Sequence, residues 1–222
     1  MPTKVMSIVL ATTNPGKLAE LRMLLGGLPV EVLSVTDVLP AYAAPAETGV
    51  SFEANALIKA RAAAAATLLV AIADDSGLEV DAIGGRPGVR SARFARDGAT
   101  NAENNAALLA ALEGVPDEKR SARFRCAIAM CDPFFDLDRP TTSEGRCEGR
   151  VLREARGTGG FGYDPLFVPA GHEQTFAELG EAAKNEISHR GKAVRELVPH
   201  VEKLVAARLA EASEVLGRAR EP

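Results

Sequence analysis

Two adjacent aspartates, Asp74 and Asp75, are the residues of this sequence best placed to do chemistry. They follow four small apolar residues at 70–73, which predict the end of a buried strand, and Ser76-Gly77 then predicts a turn. Ligands of open α/β sheets bind outside the carboxyl ends of strands, so two carboxylates there are candidates for metal binding or general base catalysis. A polar turn without a chemical role is an equally good interpretation of this stretch taken alone.

A lysine near the start of a predicted helix offers the opposite charge. A strand and a short loop lead to Asn14 as the helix N-cap and Pro15 at the first helical position. Free backbone N–H groups at such a helix start attract anions, and Lys17 lies in the first turn. Ala11 and Leu18 stand where a Walker A loop needs glycine and Ser or Thr, so an ordinary P-loop is excluded. A solvated lysine after a plain turn is the alternative interpretation.

A glycine-rich segment at 157–165 and a later group of donors complete the candidate residues. Glycine lets the backbone approach a ligand closely, and the ring of Phe161 within this segment suits stacking on a base. Lys184, His189 and Arg190 follow toward the C-terminus. Because Mg²⁺ binds a few carboxylates, waters and phosphate oxygens, carboxylates together with phosphate donors predict a Mg²⁺–nucleotide site.

The remaining periodicity predicts one α/β domain. Strands are expected at 5–10, 30–35, 124–131, 147–152 and 166–168, and helices after Asn14, over 51–66, over 101–112 and toward the C-terminus. Pro199 either kinks or divides the C-terminal helix. Since there is no internal repeat or long linker, we predict a single two-lobed domain over 1–205 and a helical extension over 206–222.

Composition restricts the class of protein. The 222 residues are 46% hydrophobic and 25% charged, which is typical of globular domains. A formal net charge of -4 argues against a nucleic-acid polymer as partner, since that needs many unpaired Lys and Arg. The three cysteines form no CxxC pair, so neither a disulfide framework nor a zinc site is expected, and a reducing cytoplasm fits. No signal peptide is recognised, and no apolar run approaches the ~18 residues that a membrane span needs.

Taken in order along the chain, these motifs resemble the inosine triphosphate pyrophosphatase family, which acts on non-canonical purine nucleoside triphosphates. The matching segments include Ala11-Thr-Thr-Asn-Pro-Gly-Lys17, Glu47-Thr-Gly49, Asn55-Ala56, Lys59-Ala60, Ile72-Ala-Asp-Asp-Ser-Gly77, Gly160-Phe-Gly-Tyr-Asp-Pro165 and Ser188-His-Arg190. The resemblance implies an elongated, mixed, twisted β-sheet flanked by helices, with two lobes around a central substrate cleft. It also implies a homodimer and Mg²⁺-dependent hydrolysis of dITP, ITP and XTP between the α and β phosphates.

The resemblance further implies which residues act on the phosphates. Asp75 would bind Mg²⁺ and accept the proton of the attacking water, with Asp74 as the supporting catalytic carboxylate. Glu47 would be a further metal ligand. A metal-bound water has a lowered pKa, so the carboxylate that accepts its proton need not be a strong base.

Base recognition is implied for the C-terminal motifs. Phe161 would stack on the purine, and His189 with Arg190 would read the 6-keto oxygen, because arginine has hydrogen-bond donors only. Guanine carries the same oxygen, so this argument does not separate inosine from guanosine nucleotides. The full set of expected substrate-binding residues is Thr12, Thr13, Asn14, Pro15, Gly16, Lys17, Lys59, Ser76, Phe161, Gly162, Tyr163, Asp164, Lys184, His189 and Arg190.

Two other functions remain as alternatives. One is a nucleotide-binding sensor that does not hydrolyse its ligand, although such a protein is expected to lose its carboxylates, and this chain retains Asp74 and Asp75. The other is a pyrophosphatase for modified pyrimidine nucleotides, against which the Ser188-His-Arg190 motif argues.

Overall fold

The structure, a computed structural model, describes residues 6–135, 137 and 139–218. The strands and α-helices of this part are β1 (Met6–Leu10), α1 (Pro15–Leu25), β2 (Val30–Ser34), α2 (Val35–Val38), α3 (Phe52–Thr67), β3 (Val70–Val80), α4 (Asn101–Ala111), β4 (Ser121–Cys131), β5 (Thr141–Val151), β6 (Phe167–Pro169), α5 (Glu181–Ile187) and α6 (His189–Arg218). The strand start expected at residue 5 and the tail at 219–222 lie outside the described residues. Within the described ranges, no helix has both the length and the apolar character that crossing a membrane requires.

The six strands form one sheet in the order β2-β1-β3-β4-β5-β6. β1 is parallel to both β2 and β3, whereas the later pairs are antiparallel. The parallel part requires crossover connections, which α1 and the α2–α3 segment provide. The predicted α/β fold with a mixed sheet and flanking helices is therefore confirmed.

Local sequence explains where the two helices beside the site begin. The side-chain oxygen of Asn14 accepts hydrogen bonds from the N–H groups of Gly16 and Lys17, and Pro15 occupies the first turn of α1. The Ser51 hydroxyl accepts a hydrogen bond from a backbone N–H one turn later and caps α3. Both predicted helix starts are thus confirmed.

Apolar side chains pack in three clusters around the sheet. One cluster, with Ile72 and Val194, lies between the sheet and helices α1 and α6. A second, with Val9 and Ala60, lies on the opposite face beneath the alanine-rich α3. The third surrounds Phe124 and the far halves of β3 to β6. The first two clusters form one lobe and the third forms the other.

Two predicted element boundaries are wrong. β3 does not turn at Ser76-Gly77, because β4 pairs with it along its whole second half and keeps it extended. β5 begins at Thr141, before the predicted start at 147, because an antiparallel strand with one solvated face carries charged residues on that face. α6 continues through Pro199 to Arg218, so of the two effects expected of this proline, division of the helix is excluded. The short helices α2 and α5 have no counterpart among the predicted elements.

Candidate active site

A cavity of about 400 Å³ lies between the lobes and collects most of the predicted site residues. Its lining includes Thr12, Thr13, Asn14, Lys17, Glu47, Lys59, Asp75, Ser76, Phe161, Gly162, Tyr163, Asp164, Lys184, His189 and Arg190. Three predicted residues, Asp74, Pro15 and Gly16, do not line it. Its volume falls in the range of roughly 300–1,000 Å³ that is typical of small-molecule sites.

Asp74 and Asp75 point to opposite faces of the sheet, because β3 is extended through both residues. β1 leaves the sheet at Ala11, whose N–H donates to the carbonyl of Ile72, and β3 continues beyond it with β4 as its partner. The cavity therefore opens at the carboxyl end of β1, as the rule for open sheets requires, whereas β3 passes the site in mid-strand.

Asp75 faces α3, which supplies two partners one turn apart. Its Oδ1 accepts a hydrogen bond from Lys59 Nζ at 3.1 Å, and its Oδ2 accepts one from Asn55 Nδ2 at 3.1 Å. Lys59 Nζ also lies 2.9 Å from Glu47 Oε1, so one ammonium joins the two expected metal ligands. Burial raises the pKa of Asp75, and the charge of Lys59 offsets only part of this rise. In Glu47, burial acts the same way, but Lys59 and Arg93 outweigh it and lower the pKa.

Asp74 faces α1 and α6 and meets two cations. Its Oδ2 lies 3.1 Å from Lys17 Nζ and accepts hydrogen bonds from Nε and Nη2 of Arg190 at 3.2 and 3.0 Å. Burial alone raises the pKa of Asp74, but Lys17 and Arg190 outweigh burial and hold it far below its usual range. Its two cations therefore favour the ionised form of Asp74, which lies on the face of β3 opposite Asp75.

Arg190 and Lys184 are held together by a carboxylate that the sequence analysis missed. Glu20 accepts hydrogen bonds from Arg190 Nη1 and, at 2.6 Å, from Lys184 Nζ. Arg190 Nη2 also donates to the Ser76 hydroxyl at 2.9 Å, so all three of its guanidinium nitrogens have protein partners. The sequence feature that could have indicated Glu20 is its position on α1 one turn after Lys17, on the same face of the helix.

The glycine-rich segment is attached to this network through Asp164. Its carboxylate accepts hydrogen bonds from Lys184 Nζ at 2.6 Å and from the backbone N–H of Phe161 at 2.9 Å. The Phe161 ring centroid lies 4.9 Å from Lys184 Nζ and 5.6 Å from Arg190 Cζ. Gly16 packs beneath this ring, because a Cβ built there would come within 2.5 Å of it. Gly16 thus supports Phe161 and does not face the cavity.

The start of α1 differs from the prediction in which donors remain free. Asn14 Oδ1 accepts from Gly16 and Lys17 N–H at 2.9 and 3.1 Å, and Thr12 Oγ1 accepts from Asn14 N–H at 3.2 Å. Pro15 has no N–H to offer. The expectation of free backbone N–H groups at these positions is wrong for this state, because a good Asn cap satisfies the helix donors itself.

His189 is a buried imidazole with an unused nitrogen. Its ring stacks on Phe124 with centroids 4.7 Å apart and planes inclined by 10°. Burial, followed by the charges of Arg190 and Lys184, holds its pKa well below the usual value, so the ring is neutral. Its Nδ1 is buried without a hydrogen-bond partner in the described part of the chain, a cost that a polar ligand atom would relieve.

Glu47 and Asp75 together fit a Mg²⁺ site with few protein ligands. The described residues contain no cluster of three or more His, Cys, Asp or Glu able to hold a metal ion. Mg²⁺ is commonly held by one or two carboxylates together with waters and substrate phosphates, so two carboxylates suffice where a polyphosphate binds. The Lys59 ammonium between them shows that a positive charge is accommodated at this point.

The curled mixed sheet and the cavity lined by facing carboxylates, ammonium groups and aromatic rings define an α/β protein built to bind a small anionic ligand. Comparison with known protein families identifies the family to which this chain belongs. The model of the Ham1 family matches residues 8–200, and the chain belongs to this family.

Relatives and solved structures agree with that assignment. The dITP/XTP pyrophosphatase of Desulforamulus reducens is 51% identical over 199 residues, which are 90% of this chain and 97% of the relative. That of Geobacter sulfurreducens is 50% identical over 194 residues, 87% of this chain and 96% of the relative. A HAM1 protein from Coxiella burnetii superposes with a TM-score of 0.80 at 43% identity, covering 89% of this chain and 99% of that one. The resemblance found in the sequence is therefore confirmed.

Proposed function

We propose that this protein hydrolyses the non-canonical purine nucleoside triphosphates dITP, ITP and XTP to the monophosphate and pyrophosphate. The observation that carries the proposal is one cavity with a charged end, at Asp75, Lys59 and Lys17, and an aromatic end, at Phe161 and His189. A purine nucleotide has the same two parts, a polyanion and a flat base. The relatives named dITP/XTP pyrophosphatase, at about 50% identity over most of the chain, support this substrate class.

At the charged end, Asp75 accepts the proton of a water that attacks the α-phosphorus. Its carboxylate lines the cavity and is held in place by hydrogen bonds from Lys59 and Asn55 at 3.1 Å each. Lys59 and Lys17 neutralise charge that develops on the phosphates. Glu47 and Asp75 would hold Mg²⁺, which would supply a water of lowered pKa and further charge neutralisation at the triphosphate. Thr12, Thr13, Asn14 and Ser76 line the same region and contact the substrate.

At the aromatic end, Phe161 stacks on the purine, and Gly162 and Tyr163 shape the pocket around it. Arg190 and His189 recognise the base edge. Since Arg190 is a donor held in one orientation by its protein partners, it suits a 6-keto oxygen and leaves the adenine amino group unmatched. An unmatched buried polar group is an effective means of rejecting an analogue.

The direct test is pyrophosphate release from dITP, XTP, dGTP and ATP in the presence of Mg²⁺. We expect kcat/KM for dITP and XTP to exceed that for ATP by at least about 100-fold, since unpaired buried polar groups can discriminate by up to about 10⁴–10⁵. Equal rates on all four nucleotides would contradict base recognition by His189 and Arg190. Tight binding of dITP without pyrophosphate release would instead favour a nucleotide sensor.

Stacking by Phe161 has its own test. Phe161→Ala is expected to raise KM for dITP by about 5- to 150-fold, because stacking on an aromatic ring contributes roughly 1–3 kcal/mol per base. Phe135→Ala is the matched control, since Phe135 is largely exposed and does not line the cavity. A KM that is equal in the two variants would exclude the stacking role.

We further infer a cytoplasmic homodimer whose domain ends near residue 205. The three cysteines are all buried and form no disulfide among the described residues, which suits a reducing compartment. The homodimer follows from the family resemblance, and light scattering after size-exclusion chromatography tests it. Val205 is the last buried side chain described on α6, which supports treating 206–222 as a helical extension.

A further inference from the structure

Two side chains on the face of α3 that packs against β3 each connect Asp75 to the segment that carries Glu47. Asn55 and Lys59 are four residues apart, so they lie one above the other on that face. Lys59 joins Asp75 to Glu47 through its ammonium. Asn55 joins Asp75 to Gly49, two residues after Glu47, through its amide. Two parallel bridges therefore connect the Asp75 carboxylate to the segment that carries Glu47.

The Asn55 bridge uses both ends of the amide in full burial. Its Oδ1 accepts the N–H of Gly49 at 2.8 Å, and its Nδ2 donates to Asp75 Oδ2 at 3.1 Å. The side chain has no exposed surface. An amide is the side-chain group that accepts on one side and donates on the other, so neither a carboxylate nor an aliphatic side chain of the same size reproduces both bonds.

Gly49 fits this bridge closely from the other side. A Cβ built on Gly49 would lie 2.6 Å from Asn55 Oδ1 and 2.9 Å from the backbone nitrogen of Asn55. Real Cβ atoms do not approach so closely, so any side chain at 49 would push the Glu47-bearing segment away from α3. The close approach shows that Gly49 packs directly against Asn55, so this contact is one of those that position the segment.

The two bridges differ in what an incoming cation does to them. The ammonium of Lys59 contacts Glu47 Oε1 and Asp75 Oδ1, so a cation that takes these oxygens competes with it directly. Asn55 is neutral, and it binds Asp75 through the other oxygen, Oδ2, and the segment through a backbone N–H. The Asn55 bridge therefore persists when the Lys59 bridge is given up.

We propose that Asn55 is a positioning residue that holds the Asp75 carboxylate and the Glu47-bearing segment together as a divalent-cation site. The proposal rests on the proposed function only in taking Glu47 and Asp75 as the cation ligands. Asn55 touches neither the substrate nor the cation. Its effect is to preorganise the Asp75 carboxylate and the Glu47-bearing segment for a cation that takes the place of the Lys59 ammonium.

Binding of Mn²⁺ to the substrate-free protein, followed by the electron paramagnetic resonance signal of free Mn²⁺, tests this without catalysis. Asn55→Ser removes both bonds but leaves room for water, so it is milder than Asn55→Leu, which leaves Gly49 N–H and Asp75 Oδ2 unpaired. We expect the Kd for Mn²⁺ to rise at least tenfold in Asn55→Ser. Gly49→Ala, which disturbs the same contact from the segment, is expected to weaken Mn²⁺ binding in the same direction.

Asn104→Ser is the matched control for the loss of a buried amide. Asn104 also bridges backbone groups, accepting from Ala95 N–H at 3.0 Å and donating to Ala92 carbonyl at 3.1 Å, but it contacts no carboxylate. Its Mn²⁺ Kd is expected to stay within twofold of the wild-type value even where its Tm falls. A weakening equal to that in Asn55→Ser would show general loosening and overturn the proposal.

Steady-state kinetics provide a second measurement. A purely structural role for Asn55 would not change the Mg²⁺ requirement separately from KM for dITP. In Asn55→Ser, the Mg²⁺ concentration for half-maximal pyrophosphate release from dITP is expected to rise at least tenfold, while KM for dITP at saturating Mg²⁺ stays within threefold. Mn²⁺ affinity within twofold of wild type in both Asn55→Ser and Gly49→Ala overturns the proposal, as does absence of Mn²⁺ binding to the wild-type protein. If the wild-type protein binds Mn²⁺ and Asn55→Ser loses it but neither releases pyrophosphate, the proposed function fails and the positioning role stands.

Discussion

The neighbouring carboxylates Asp74 and Asp75 lie on opposite faces of β3, and their pKa values are shifted in opposite directions. On the α3 face, Asp75 meets one ammonium and one neutral amide, lines the cavity, and has a raised pKa. On the other face, Asp74 is enclosed by Lys17 and Arg190 and has a pKa far below its usual range. The comparison teaches that the charge of the surroundings, and not adjacency in sequence, separates a carboxylate available to a ligand from one committed to structure.

The two carboxylates also connect different elements. Asp74 joins β3 to α1 through Lys17 and to α6 through Arg190, so it ties together three elements of the same lobe. Asp75 joins β3 to α3 and, through the bridges of Asn55 and Lys59, to the segment before α3. Removing Asp74 should therefore act mainly on stability, and removing Asp75 mainly on catalysis.

Asp75→Asn has the largest expected effect. We expect kcat for dITP to fall by about 10²–10⁴-fold, because the proton acceptor and one carboxylate of the cation site are both lost. Its Tm, measured by circular dichroism with EDTA present, should stay within about 3 °C of wild type, since burial disfavours the ionised carboxylate in the native state. Wild-type activity in this variant would contradict the assignment of Asp75.

Asp74→Asn comes next, and its effect is on stability. The variant leaves a buried guanidinium and a partly buried ammonium beside a neutral group, and breaking a buried ion pair costs about 3–5 kcal/mol. For a chain of this size that corresponds to a fall in Tm of roughly 6–20 °C by calorimetry. Asp97→Asn is the control, because its ion pair with Arg90 is exposed, and its Tm should change by less than about 1 °C. If Asp74→Asn were as stable as the wild-type protein, the proposed contrast between Asp74 acting on stability and Asp75 acting on catalysis would not hold.

The pH dependence of stability should have opposite signs for the two carboxylates. Asp74 has a lowered native pKa, so its contribution is fully present above about pH 4 and is lost as the pH falls toward the native value. Asp75 has a raised native pKa, so its ionisation costs stability as the pH rises through about 4. Urea unfolding with EDTA between about pH 3 and 6 should therefore show the stability gap between wild type and Asp74→Asn narrowing toward acid.

For Asp75→Asn, the same titration should show the opposite trend, with the variant gaining stability relative to wild type as the pH rises. Parallel curves for wild type and both variants would mean that neither carboxylate has the perturbed pKa described above.

The smallest expected effect is stabilisation by the cation itself. At ten times its Kd, a ligand that binds only the folded state stabilises it by about 1.4 kcal/mol, or roughly 3–6 °C in Tm here. Mg²⁺ should therefore raise the Tm of wild type and of Asp74→Asn, but not that of Asp75→Asn, in differential scanning fluorimetry. Chelation should also abolish pyrophosphate release. Equal shifts in both variants would place the cation elsewhere.

Much of the local structure near the site follows from the sequence. The Asn14-Pro15 start of α1 and the Ser51 cap of α3 are predicted correctly, because a capping side chain bonds backbone groups only two or three residues away. The turn predicted at Ser76-Gly77 is wrong because that prediction also rests on local sequence only. Its local chemistry favours a turn, but pairing with β4, which lies some fifty residues later, keeps the chain extended.

The residues that orient the site were harder to find in the sequence. Glu20 and Asn55 carry no catalytic signature, and their partners are distant in sequence: Lys184 lies 164 positions from Glu20, and Asp75 lies 20 positions from Asn55. Asn55 belongs to the Asn55-Ala56 segment of the resemblance, whereas Glu20 is indicated only by its position one turn after Lys17. The role of Asn55 is visible only once the segment around Gly49 is seen against it.

The sequence by itself determined the family, the mixed α/β class and the chemical types present at the site, because motifs and periodicity are local properties of the chain. Tertiary structure alone decided which carboxylate lines the cavity. The pleat of β3 sends Asp74 and Asp75 to opposite faces, and the helices packed on those faces supply unequal numbers of cations. A pKa depends on burial and on neighbouring charges, so it is settled only where distant elements meet.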